Sequence, residues 1–189
     1  MARPLEFDRD EAVQKAMQLF LRQGYEGTSI GDLTDELGIS RASLYNCFGD
    51  KRGLMLETIG CAEKIGAELR RGALGKKGPA AKVIRDFFEQ LVNTYIGCGG
   101  APGCVFLILG AELASTDAEV QQRVDAALEA SRNLFREILE REGKWTAKEI
   151  EAKASSLLAT LISILMLLRL KRDPVLFKNV LQESLKILD

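Results

Sequence analysis

Helix start and stop signals punctuate this chain from end to end, and strand alternation is nearly absent. Asp8, Ser29, Ser40 and Asp50 precede the first four apolar-periodic stretches, and Gly24, Gly38 and Gly49 close the first three. A short side-chain acceptor takes the free N–H groups that open a helix, and glycine adopts the left-handed backbone that ends one. This punctuation dictates an all-α fold of about nine helices. Asp8 with Glu11 reads as a capping box, followed by Val13, Ala16, Met17, Phe20 and Leu21 at helical spacing. Ile30, Leu33 and Leu37 mark a second helix of about two turns, and a third runs from Ser40 to Phe48. The fourth spans about 51 to 71, with Leu54, Ile59, Ala62, Ile65 and Leu69 inward. Residues 72 to 79 form a Gly-rich basic break, with Pro79 expected at the first helical position of the fifth helix. A second break covers 98 to 103, and a compact apolar helix then runs from 104 to 114. Ser115-Thr116-Asp117, followed by Glu119 and Val120, restarts the chain into a long amphipathic helix ending near Gly143. Thr146 with Glu149 opens an eighth helix to about 172, and Pro174 opens the ninth.

Length and composition bound the function. The 189 residues suffice to bury a core without disulfide staples. Histidine is absent, which removes His-based triads, the usual general base near neutral pH and the commonest zinc ligand. Cys47, Cys61, Cys98 and Cys104 include no C-x-x-C pair, so free thiols are expected and no metal site or cofactor. Neither a phosphate-binding loop nor a paired-carboxylate motif appears, so no catalytic residues are assigned. A near-neutral net charge of −1 argues against wholesale polyanion binding. Residues 1 to 60 hold seven Lys or Arg against ten Asp or Glu, a net of −3. The N-terminus lacks the apolar core of a secretory signal. The uncharged run from 154 to 168 would rise only about 22 Å as a helix, short of the roughly 30 Å hydrocarbon layer. A cytoplasmic protein without membrane contact is expected.

Residues 28 to 48 carry the chemistry. Two short helices joined by Gly38-Ile39-Ser40 have helix-turn-helix spacing, although a helical hairpin within an all-α core has the same spacing. The second of them divides into two faces. Leu44 and Phe48 point inward beside Cys47; Arg41, Ala42, Tyr45 and Asn46 share the outer stripe, flanked by Ser43. Arginine can read guanine, asparagine adenine, and alanine a thymine methyl. Tyr45 and Ser40 suit phosphate oxygens, as does Lys51 at the next helix start.

The segment from Phe20 to Leu54 closely resembles the N-terminal domain of TetR-family transcriptional regulators. The resemblance rests on Gly24-Tyr25-Glu26-Gly27-Thr28-Ser29-Ile30, then Leu37-Gly38-Ile39-Ser40, then Leu44-Tyr45-Asn46-Cys47-Phe48-Gly49-Asp50-Lys51. It covers about the first 60 residues. It implies a homodimer that sets two recognition helices on a palindromic DNA operator, with a small-molecule effector pocket in the C-terminal domain. It also implies a bacterial cytoplasmic protein, nucleoid-associated when bound. Ser40, Arg41, Ala42, Ser43, Tyr45 and Asn46 would face DNA, with Thr28 and Lys51 on phosphates. Members often carry His or an aromatic residue where this chain has Cys47, so a DNA role there is not carried over. The implied organisation is a DNA-binding domain over 1–50, a connecting helix over 51–72 and an effector-binding and dimerisation domain over 73–189.

Patterning locates the remaining sites. Phe87, Phe88, Leu91, Tyr95, Cys104, Phe106, Leu107, Phe135, Leu158 and Ile162 are the expected lining of the effector pocket. Few charges fall on those faces, which points to a mostly apolar effector. The eighth helix is apolar almost all round, so a second subunit is expected on it. Leu161, Leu165, Leu168, Phe177, Val180, Leu181 and Leu185 are the expected dimer interface. The function expected is a ligand-released repressor. The alternatives are an activator, a protein-interaction module or a helical-bundle enzyme. Arg3 and Arg9 could form a basic arm, and Cys47 or the Cys98/Cys104 pair could serve as redox switches, against the simpler reading of packed thiols.

Overall fold

The computed structural model describes residues 7–97, 104–170 and 173–189. These residues form nine α-helices: α1 (Arg9–Gln23), α2 (Ile30–Leu37), α3 (Arg41–Phe48), α4 (Lys51–Leu74), α5 (Ala80–Gly97), α6 (Val105–Leu113), α7 (Ala118–Glu140), α8 (Ala147–Leu170) and α9 (Pro174–Leu185). The caps are those the sequence announces. Asp8 accepts from Asp10 and Glu11 N–H, while the Glu11 carboxylate pairs with Lys15. Ser29 and Asp32 form a reciprocal capping box, and Ser40 caps α3 through Ser43 N–H. Gly38 ends α2 at φ 67°, in the left-handed region that a Cβ disfavours. Two boundaries differ from expectation. α4 continues past Gly72 to Leu74, because a single glycine weakens a helix without stopping it. Pro79 stands just before α5, its carbonyl accepting from Lys82 and Val83 N–H.

The buried side chains fall into two cores that do not follow chain order. The first gathers α1, α2, α3 and the N-terminal half of α4 around Phe20, Leu33, Leu44, Leu54, Met55 and Ile59. It also takes Val105, Leu109 and Leu113 from α6 and Val120 from α7. A boundary at residue 73 therefore separates stretches of sequence but not cores. The second core packs the C-terminal half of α4 with α5, α7, α8 and α9. At its centre the rings of Phe87, Phe88 and Phe135 lie 5.6–5.8 Å apart. α4 alone contributes a long stretch to both, with Ala62 in the first core and Leu69 in the second.

Polar contacts reinforce the junction. The Glu112 carboxylate on α6 accepts from Tyr25 N–H at 2.7 Å and Glu26 N–H at 3.2 Å, gripping the α1–α2 turn. Arg52 at the start of α4 makes a two-point pair with Asp117, at 2.7 and 3.0 Å, and reaches Glu119 at 2.9 Å. Asp117 simultaneously caps α7, and these bonds hold its carboxyl down at about 2. Arg169 on α8 donates to the Arg22 carbonyl at the end of α1.

Most of the expected dimer residues are buried within their own subunit. Leu161, Leu165, Leu168, Phe177 and Leu185 lie in the second core of their own subunit, and Val180 and Leu181 pack partly against it. α5, α7 and α9 cover most of the apolar surface of α8. Its outward stripe is Ser155, Ala159, Ser163, Met166 and Leu170, one line at helical spacing.

Candidate nucleic-acid interface

α3 is eight residues long and is fixed by two of them. Leu44 is fully buried and Phe48 nearly so, both in the first core. Their four-residue spacing turns one stripe inward and obliges Arg41, Ala42, Tyr45 and Asn46 to face solvent. Tyr45 is 49% exposed. A tyrosine that open on an otherwise well-packed head has a ring and hydroxyl available to a partner. Ser40 is exposed but spends its Oγ on the α3 cap and on the Ser43 hydroxyl at 2.9 Å. Ser43 is half-buried beside it.

Charge on this head is mostly neutralised internally. Arg9 pairs with Glu57 and lies over the Phe48 ring, Arg22 pairs with Glu36, and Arg52 with Asp117 and Glu119. Among the described residues of the head, Arg41 is the arginine without a carboxylate partner. A free guanidinium on the exposed stripe of a short helix, inside a head of net acidic sequence, is the place where an anion or a base edge would be met. Arg9 is thereby unavailable as a basic arm, and Arg3 lies outside the described residues.

Two expected DNA contacts are turned inward. Thr28 is 1% exposed, and its hydroxyl donates to the buried Gly24 carbonyl at 2.6 Å. The Lys51 ammonium donates to the Thr28 carbonyl at 2.7 Å and sits 4.1 Å from the centroid of the Tyr25 ring. The quoted Gly-Tyr-Glu-Gly-Thr-Ser segment therefore builds the turn between α1 and α2. Its threonine, tyrosine and the later lysine lock that turn to α4. Cys47 is half-buried against the first core, away from the outer stripe.

A cavity lies among the residues expected to line an effector site. A space of about 230 Å³ lies between α4, α5, α6, α7 and α8, where the two cores adjoin. Of those residues, Phe87, Leu91, Tyr95, Cys104, Phe106, Leu107 and Ile162 line it. Phe88 and Phe135 do not, being fully buried in the core behind it, and Leu158 is packed against that core. Sequence reasoning missed the α4 and α7 walls, including Glu63, Arg70 and Arg123. Those residues sit on helices whose apolar periodicity gave no hint of a hollow. Burial pushes the Cys104 thiol up from its ordinary value, and the Tyr95 hydroxyl donates to its sulfur at 3.8 Å. Cys98 lies outside the described residues, so a pairing with Cys104 does too.

Comparison with known proteins places this geometry. Residues 12–58 match the family model "Bacterial regulatory proteins, tetR family". The chain is 29% identical to the HTH-type transcriptional regulator YezE of Bacillus subtilis, over 196 aligned positions and 100% of both chains. It is 31% identical to the HTH-type transcriptional repressor ComR of Escherichia coli, over 61% of this chain and 55% of that one. Among solved structures, a cysteine mutant of the TetR family regulator CifR, complexed with 26-bp double-strand operator DNA, superposes with a TM-score of 0.84. It is 28% identical and the match covers 97% of this chain and 98% of CifR. The regulator SCO4454 from Streptomyces coelicolor shares the fold at 22% identity and a TM-score of 0.83, over 95% and 93% of the two chains. Residues 12–58 thus carry the DNA-binding signature of the TetR family and the whole chain takes the fold of TetR-family regulators, which makes it a helix-turn-helix, DNA-binding transcriptional regulator.

Proposed function

We propose that the protein is a homodimeric repressor that binds a palindromic operator through α3 and is released by a small molecule held between α4 and α8. The observation that carries the DNA reading is the exposed Arg41–Ala42–Tyr45–Asn46 stripe on a helix anchored by Leu44 and Phe48. The operator complex of CifR and the repressor relatives support it. In a two-fold dimer the two third helices enter successive major grooves about 34–36 Å apart. Because the head is acidic overall, affinity for random DNA is modest and selectivity rests on few contacts. The regulator works in the cytoplasm, on the nucleoid while its operator is occupied.

The dimer surface is the outward stripe of α8 with the start of α9. Met166, Leu170 and Val175 are 41%, 71% and 67% exposed, an apolar group that a second copy would cover. The test is a gel-shift titration of the full-length protein against the DNA upstream of its own gene. The double substitution Arg41→Ala, Tyr45→Ala should abolish the shift while the sedimentation coefficient and helical circular dichroism stay those of the parent. A double variant that still shifts the DNA overturns the assignment of α3.

A further inference from the structure

The cavity between α4 and α8 is not as neutral as its apolar walls imply. Phe87, Leu91 and Leu107 give it a hydrophobic body, yet Arg70 lines it from α4, with its guanidinium lying against Gly66 of the same wall. The other charged wall residues answer one another. Arg123 pairs with Glu63 at 3.5 Å and with Glu119 at 3.2 Å. Arg70 makes no hydrogen bond or ion pair with the described residues, and residues 98–103 contain no acid that could supply one. The Tyr95 phenol is the group whose charge acts on it, and burial disfavours its charged form. A partly buried guanidinium is held charged in any case, so the site offers one guanidinium that no carboxylate of the described residues pairs.

Resting on the reading of this cavity as the effector site, we propose that the effector is a small monoanionic carboxylate with an apolar body, its carboxylate seated on Arg70. A guanidinium offers a planar fork that matches a carboxylate at two points. One guanidinium without a carboxylate partner matches one negative charge, and with Glu63 and Glu119 close by a dianionic phosphate would meet repulsion. At roughly 30 Å³ per water, the 230 Å³ space equals about eight waters, which fits an acid of about ten non-hydrogen atoms.

The probes are two acid–amide pairs of matched shape, octanoate with octanamide and phenylacetate with phenylacetamide, titrated calorimetrically into the full-length protein at pH 7. At least one acid should bind about tenfold or more tightly than its amide. Arg70→Met should remove that preference, and Arg70→Lys should retain part of it, which separates loss of charge from loss of fold. Equal binding of acid and amide, or an acid preference that survives Arg70→Met, overturns the carboxylate assignment and leaves the cavity standing as an apolar effector site. Failure of all four probes to bind folded protein counts against the cavity as an effector site, and against this proposal with it.

Discussion

Thr28→Val separates a structural role from a DNA-contacting one with nearly no change of shape. The Thr28 hydroxyl is the recorded partner of the Gly24 carbonyl, both groups lie in the buried turn between α1 and α2, and the bond is 2.6 Å long. Valine fills the same space but leaves that carbonyl with no donor. Stranding a buried acceptor costs about 1–3 kcal/mol. The Lys51 ammonium adds to the effect, because it binds the carbonyl of the same residue and would shift with the turn. Taking about 2 kcal/mol for the whole change, a chain of this size should melt about 4–8 °C lower. Operator affinity, measured by fluorescence anisotropy well below the transition, should stay within about twofold. The opposite pattern, an unchanged melting temperature with operator affinity reduced tenfold or more, would show that the hydroxyl faces DNA and that the burial argument is wrong.

Three further outcomes follow from the same geometry. Lys51→Ala should lower stability by about 1 kcal/mol through loss of its cation–π and carbonyl contacts; the slope of log affinity against log salt should not change, whereas a slope reduced by about one would mark a phosphate contact. Asp117 is held at about 2, below its ordinary value, by the Arg52 hydrogen bonds first. Its contribution is complete above the ordinary carboxylate range and fades as pH falls toward 2; Asp117→Asn should therefore flatten the melting temperature between pH 4 and 2, and an acid profile parallel to the parent's would refute this. Ala159→Glu, which sets a charge in the middle of the outward stripe of α8, should convert the dimer to monomer in sedimentation at micromolar protein; an intact dimer would move the interface elsewhere.

Reading the chain forward located the helices well, because their signals are local. A serine, aspartate or glycine at a helix end acts within one turn, so Ser29, Ser40, Gly38 and Thr146 announced themselves. The split of α3 was legible for the same reason: Leu44 and Phe48 are one turn apart, and the opposite stripe follows from helix geometry alone. What failed was any inference that needed to know which neighbour arrives from far along the chain. Thr28 and Lys51 are polar residues at helix starts near the DNA face, which is also the description of a phosphate contact. Only the fold reveals that a lysine 23 residues away reaches the Thr28 carbonyl. Leu161 and Leu165 exceed what one face of a helix buries, and the packing of α8 against its own neighbours takes up the excess. The cavity walls on α4 and α7 were invisible because a hollow is the absence of a side chain, and periodicity records only those present.

The joint membership of the first core bears on how such regulators can be recombined. Since α6 and the start of α7 complete the packing of the DNA head, while Glu112 and Asp117 bind its turns, the head is not a bead that can be cut at residue 50 and grafted onto another sensor. A workable chimera would have to carry Val105, Leu109, Leu113 and Val120 with it, an insertion from the middle of the donor chain. In evolution the same arrangement ties two surfaces together. A substitution in α6 that reshapes the cavity also disturbs the core that α1 and α4 share with α3, so on the proposed reading operator and effector specificity would drift as a pair.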